Sequence, residues 1–112
     1  MKLLTREILN AFTKQGYTGD RKCNDIKVIC KFFNPVGAGS WYLYEYYPED
    51  RIFMGYVNLM GADCAECGSV SLDELEQLKL PMGLSIERDM SFPIAKYTVQ
   101  EIIDKVQCGE HV

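Results

Sequence analysis

Apolar residues along the chain switch between helical and strand spacing, and each switch coincides with a cap or a breaker. Between Thr5 and Lys14, Ile8, Leu9 and Phe12 fall on one side of a helix, which would face a core while the rest faces water. Thr5 can cap that helix and Gly16 can end it. From Ile26 to Phe33 the spacing becomes two. Ile26, Val28, Cys30 and Phe32 would point one way, and Lys27, Ile29, Lys31 and Phe33 the other, a mixed face that is only partly covered. Asn34-Pro35-Val36-Gly37-Ala38-Gly39 cannot continue a strand and reads as a loop. Ser40 to Tyr47 alternates again, with Trp41, Leu43, Glu45 and Tyr47 on one face and Tyr42, Tyr44 and Tyr46 on the other. Pro48-Glu49-Asp50 makes a turn into a third strand, Arg51 to Leu59. Three strands with short connections predict an antiparallel meander.

Beyond the meander, Gly61 to Gly68 reads as a loop with a short strand after it. Ser71-Leu72-Asp73-Glu74 is a capping box, opening a helix to about Leu78 that stops before Pro81. Leu84 to Phe92 is extended or irregular, and Thr98-Val99-Gln100-Glu101 opens a last helix to about Val106. The order predicts an α+β fold: an antiparallel sheet of three to five strands with about three helices packed on one of its faces. At 112 residues and 47% apolar, the chain is expected to form a single domain over 1–112 with a core of its own.

A net charge of −4 argues against direct nucleic-acid binding, which uses clustered Lys and Arg to displace counterions, and leaves a basic partner open. The opening Met1-Lys2-Leu3-Leu4-Thr5-Arg6-Glu7 breaks into charge too early for a signal peptide, and no apolar run approaches the ~20 residues of a membrane span. The five cysteines are an odd count for a secreted disulfide scaffold. The expected location is therefore cytoplasmic, with reduced thiols and Cys30 as a buried small hydrophobe.

Four blocks in order resemble a known family. They are Lys31-Phe32-Phe33-Asn34-Pro35-Val36-Gly37-Ala38-Gly39-Ser40-Trp41-Tyr42; Pro48-Glu49-Asp50 followed by Phe53-Met54-Gly55-Tyr56-Val57; Ser71-Leu72-Asp73-Glu74-Leu75-Glu76; and Gly83-Leu84-Ser85-Ile86-Glu87-Arg88-Asp89. With the opening Met1-Lys2-Leu3-Leu4-Thr5, this chain resembles the bacterial domain of unknown function 2958 family over about residues 1–92. The resemblance implies a setting on plasmids, integrative elements and phages, near anti-restriction or DNA-processing genes. It brings no activity and no residue roles. The chain departs from the family in its tail and at Cys64 and Cys67, around the matching Asp63, Glu66 and Gly68.

Several constellations could carry chemistry. Cys64-Ala65-Glu66-Cys67 and Cys108-Gly109-Glu110-His111 each have the two-residue gap that lets neighbouring ligands reach one zinc ion; the alternative is chance spacing, with no cofactor. The same Cys64/Cys67 pair could be a redox dithiol, but Asp63 and Glu66 would raise its thiol pKa and no thioredoxin-like βαβ context surrounds it. Asp63, Glu66, Glu87 and Asp89 could bind a divalent ion in a metal-dependent DNA-processing enzyme or accessory factor. With Glu45, Glu49 and Asp50 they could instead form a negative docking patch, or simply a solvated face paired with Arg51 and Arg88. Trp41, Tyr42, Tyr44 and Tyr46 are candidate interface anchors if one aromatic face is exposed, and ordinary sheet packing otherwise. Gly37-Ala38-Gly39 lacks the Gly-Lys-Ser/Thr of a phosphate loop, and one histidine supports no catalytic triad.

The expected function is that of a non-enzymatic protein-binding module of a mobile element: a counter-defence inhibitor, in the manner of an anti-CRISPR protein. It would dock on a nucleic-acid-targeting immune effector, a CRISPR nuclease or a restriction enzyme, and block nucleic-acid binding. The alternatives are the metal-dependent enzyme and a structural zinc module.

Overall fold

The computed structural model describes residues 2–110 and 112. Helix α1 (Arg6–Gln15) starts where expected, because the Thr5 hydroxyl accepts from the Ile8 amide at 3.2 Å. It ends at Gly16, whose φ of 68° suits glycine and whose N–H donates to the Phe12 carbonyl. Five strands follow: β1 (Cys30–Phe33), β2 (Ser40–Tyr47), β3 (Ile52–Asn58), β4 (Glu66–Ser71) and β5 (Glu87–Arg88). They form one antiparallel sheet in the order β4-β3-β2-β1-β5. Ser71 caps α2 (Leu72–Gln77) through the Glu74 amide. Thr98 and Glu101 close a full capping box on α3 (Val99–Gln107). The arrangement is α+β. No helix among the described residues is long and apolar enough to cross a membrane.

The helices do not share one sheet face. Ile8 and Phe12 of α1 and Leu72 and Leu75 of α2 pack with Cys30, Phe32, Trp41, Leu43 and Phe53. Val99, Ile102 and Val106 of α3 cover the opposite face with Tyr42, Tyr44 and Tyr56. Both faces of the central strands are apolar, so each demands a cover.

Two strand readings also change. Only Cys30–Phe33 enters the sheet. Ile26 and Val28 pair outward with the segment before α3, the Val28 amide donating to Tyr97 O and the Val99 amide to Ile26 O, both at 2.8 Å. They therefore sit under α3, whereas Ile29, Cys30 and Phe32 lie on the α1 side. In β2 the alternation breaks at a bulge. Leu43 pairs with Gly55, but Glu45 is the residue that pairs with Met54, leaving Tyr44 as the extra residue. The slip turns Tyr46 to the α1 face, where its ring lies 4.6 Å from Phe53 and 5.9 Å from Phe12. Gly55 permits this close approach: a Cβ there would lie 2.6 Å from Leu43 Cδ2 and 2.8 Å from the Tyr42 carbonyl oxygen.

Candidate functional site

The aromatic residues expected to anchor a partner belong to the core. Trp41, Tyr42 and Tyr44 are buried, and Tyr46 is half-buried in the stack with Phe53 and Phe12. A sheet covered on both faces leaves no exposed aromatic face of β2. Glu45 is buried too, at 5% exposure. Its carboxylate accepts from the Thr18 amide at 2.7 Å and the Tyr47 hydroxyl at 2.6 Å, a structural role rather than a surface one. The Tyr47 hydroxyl is pushed up to about 12 by donating to that carboxylate.

The remaining acids separate into three groups. Glu49 and Asp50 are exposed on the turn between β2 and β3. Asp63 and Glu66 are exposed at the other end of β3, beside β4. Glu87 lies on β5, at the far edge of the sheet, next to Asp89. The four carboxylates of the enzyme alternative are thus divided between opposite sheet edges and do not converge in one cleft. Among the described residues, no group of three or more His, Cys, Asp or Glu is placed to hold a metal ion. Of the zinc set, Cys64, Cys67 and Cys108 are exposed free thiols, and His111 lies outside the described residues. Gln107 does bring the end of α3 to the Ala62–Cys64 turn, donating to the Ala62 carbonyl at 2.8 Å and to the Tyr56 hydroxyl at 3.1 Å. Although Cys67 is exposed, partial desolvation of its sulfur, with the Cys23 thiol nearby, raises its pKa, the wrong direction for a reactive dithiol.

Two places have the geometry of a site. The first is the β4 margin. β4 is the last strand on its side of the sheet, so every second residue turns its main-chain N–H and C=O away from β3. Edge strands are usually blunted by lysine, proline or a bulge. Glu66-Cys67-Gly68-Ser69-Val70-Ser71 contains neither of those residues, and its register with β3 is unbroken. Beside it runs a groove of about 560 Å³, lined by Trp41, Val57, Leu59, Val70, Leu75 and Leu78 among others. A further hollow of about 290 Å³ continues past Met60, Cys64, Glu66 and Cys67. Leu59 and Met60 are 48% and 84% exposed. Asp63, Glu66 and Glu74 give this margin exposed acids, against one exposed lysine, Lys79. Asp73 and Glu76 are neutralised by Arg51, at 2.6 and 2.5 Å.

The second place surrounds Lys31, which the alternation put on a half-covered face. α3 and the residues beyond it complete the cover, and Lys31 is only 4% exposed. Its ammonium lies 3.7 Å from Asp89 Oδ2 and 5.6 Å from the centre of the Tyr42 ring, and donates to the main-chain oxygen of Val112. Burial works to raise the Asp89 carboxyl. The Ser91 hydroxyl and amide, with Lys31, outweigh it and hold the group below its ordinary value. The available signal in the sequence was the apolar stripe Val99, Ile102, Val106, which needs a second sheet face to cover and so buries whatever projects from it.

The family described as "Protein of unknown function (DUF2958)" matches residues 3–107, and the chain belongs to it. The match runs through α3, beyond the blocks that carry the resemblance. No curated protein and no solved structure matches the chain.

Proposed function

We propose that this protein is a non-enzymatic binding module that takes a protein partner along the β4 margin. The observation that carries the reading is the pairing of an unblunted edge strand with an adjoining apolar groove and exposed Leu59 and Met60. Apolar area at the centre of a patch supplies affinity, while charge around it sets orientation and partner choice. Here the surrounding charge is acidic, through Asp63, Glu66 and Glu74, on a chain of net charge −4. The complementary partner presents a basic surface.

In its concrete form the partner is a host immune nuclease, a CRISPR effector or a restriction enzyme. Such an enzyme must carry a basic channel for its nucleic acid, and an acidic module seated there excludes the substrate. The genomic company that the family resemblance implies supports this form. The test mixes purified protein in molar excess with the nucleases of its host and reads both complex formation and cleavage. Inhibition is expected, weakened about tenfold or more by Leu59→Asp or Met60→Asp, with the unfolding midpoint unchanged because both side chains are exposed. Absence of binding and inhibition across those nucleases sinks the concrete form. Binding unaffected by either variant sinks the β4 margin as its site.

A further inference from the structure

We propose that β4 takes its partner by strand addition: an extended segment lies antiparallel to it, with an aliphatic, an aromatic and a basic residue at alternate positions. The inference rests on the β4 margin as the docking site and names what occupies it.

The phase of the ladder decides which main-chain groups are on offer. The Leu72 amide donates to the Arg51 carbonyl at 2.9 Å. These residues continue the register in which Ile52 lies opposite Ser71 and Phe53 opposite Val70, so they form a hydrogen-bonded pair. Bonded and non-bonded pairs alternate along an antiparallel ladder. Val70, Gly68 and Glu66 therefore bond to β3, whereas Cys67 and Ser69 turn their N–H and C=O groups outward. Both residues are exposed, and among the described residues no strand lies beyond β4. Their donors and acceptors stand at the spacing that another strand would match.

Side chains along the same edge set the sequence of the added strand. Val70 belongs to the core on the α1 and α2 side, so alternation puts Gly68 and Glu66 on that side too. A residue opposite Val70 meets the apolar groove formed with Leu75 and Leu78, which suits an aliphatic side chain. A residue opposite Gly68 meets a gap, since a Cβ on that glycine would find nothing within 4 Å. Its partner on β3 is Gly55, so β3 contributes no side chain there either. Toward an added strand Gly68 is a non-hydrogen-bonded position, where facing side chains come closest, and an aromatic ring can cover an edge glycine. Opposite exposed Glu66, a lysine or arginine completes a cross-strand ion pair. Read from its own N-terminus, the added strand is aliphatic-x-aromatic-x-basic. Charge selects against a second copy of this chain, because pairing two β4 strands would bring together the acidic margins of two chains, each of net charge −4.

The probe is the acetylated, amidated peptide Thr-Val-Thr-Phe-Thr-Arg-Thr, titrated into the isotope-labelled full chain. Saturable amide shifts are expected from Glu66 to Ser71, with slowed hydrogen exchange at Cys67 and Ser69. N-methylating the two threonines that flank phenylalanine removes the donors aimed at β4 and should weaken binding about tenfold or more. N-methylating phenylalanine, whose amide faces away, should change little. Glutamate in place of arginine should weaken binding as well. Gly68→Val meets no neighbour and no left-handed φ, so it should fold like the native chain. It should weaken the phenylalanine peptide about tenfold and a version with alanine there far less. Absence of saturable binding, shifts lying away from β4, or binding indifferent to both N-methylation and Gly68→Val would overturn strand addition. Nuclease binding still weakened by Leu59→Asp would then show that the β4 margin stands without it. Peptide bound as expected, with no nuclease bound, would support strand addition while removing the nuclease as its partner. A chain that sediments as a dimer, dispersed by Ser69→Pro, would place a second copy on this edge and overturn the choice of a basic segment.

Discussion

Glu45 provides the sharpest contrast between a surface residue and a structural one. If it were an exposed interaction residue, removing its carboxylate would change binding and leave stability alone. The structure requires the reverse. The carboxylate is buried and spans two donors, the Thr18 amide and the Tyr47 hydroxyl. Thr18 is itself 5% exposed, so Glu45→Ala strands a buried N–H that water cannot readily reach. An orphaned buried donor costs about 1–3 kcal/mol, and a hydrogen bond to a charged group contributes about 1.5–3 kcal/mol. These overlap for the Thr18 contact, and the Tyr47 contact is partly exposed. The expected loss is therefore about 2–4 kcal/mol, which for a chain of 112 residues lowers Tm by roughly 10 °C.

Glu45→Gln keeps one acceptor oxygen and should lose about half as much. The companion readout is Tyr47, whose hydroxyl ionises near 12 because it donates to Glu45. In Glu45→Gln the carboxylate charge is gone, and Tyr47 should titrate closer to the ordinary value of about 10, visible in an alkaline absorbance titration. Urea unfolding supplies the free energies. Glu45→Ala within about 0.5 kcal/mol of the native chain, with Tyr47 unmoved in Glu45→Gln, would refute the buried-carboxylate reading.

Gly55→Ala places a Cβ within 2.8 Å of a main-chain oxygen that cannot swing aside. A loss of about 2–3 kcal/mol in urea unfolding is expected, and a loss below about 0.5 kcal/mol would mean that the bulge at Tyr44 adapts freely. Asp89, held below its ordinary value in the folded chain, contributes stability that is fully present above the unfolded carboxylate pKa of about 4 and is lost as pH falls through the lower folded value. Unfolding measured from neutral pH downward should show this loss beginning below about pH 4. Asp89→Asn should flatten that part of the acid limb, and an unchanged limb would remove Asp89 from the balance.

The legibility of the fold divides by the range of the interactions. Thr5, Ser71 and Thr98 each accept from an amide three residues ahead, so local spacing alone places all three helix starts. The three-strand meander is equally local, because short loops fix which strands are neighbours. The sheet's two covered faces were not legible from β2 alone, because tyrosine suits a wet surface as well as a core. Tyr42 and Tyr44 are buried because α3, more than fifty residues later, lies over them together with Ile26, Val28 and Phe92. The bulge depends on a glycine in the facing strand, and no pattern within Ser40–Tyr47 announces it. For the same reason the candidate anchors moved inward. At the β4 margin the pattern predicts a loop to Gly68 with a short strand after it; the strand in fact begins at Glu66, because polar Glu66 to Gly68 joins the sheet only by pairing with β3.

This division bears on how the β4 margin relates to the family. The four blocks build β1, the start of β2, most of β3, the start of α2 and β5. Leu59 and Met60, with the loop through Cys64 to Cys67, lie outside those blocks but within the stretch that matches the family. Grafting Leu59–Gly68 onto another member of the family should transfer partner binding, and Leu59→Asp within the graft should abolish it again. A graft that leaves the recipient unable to bind the partner would mean that this segment of the β4 margin does not carry the recognition.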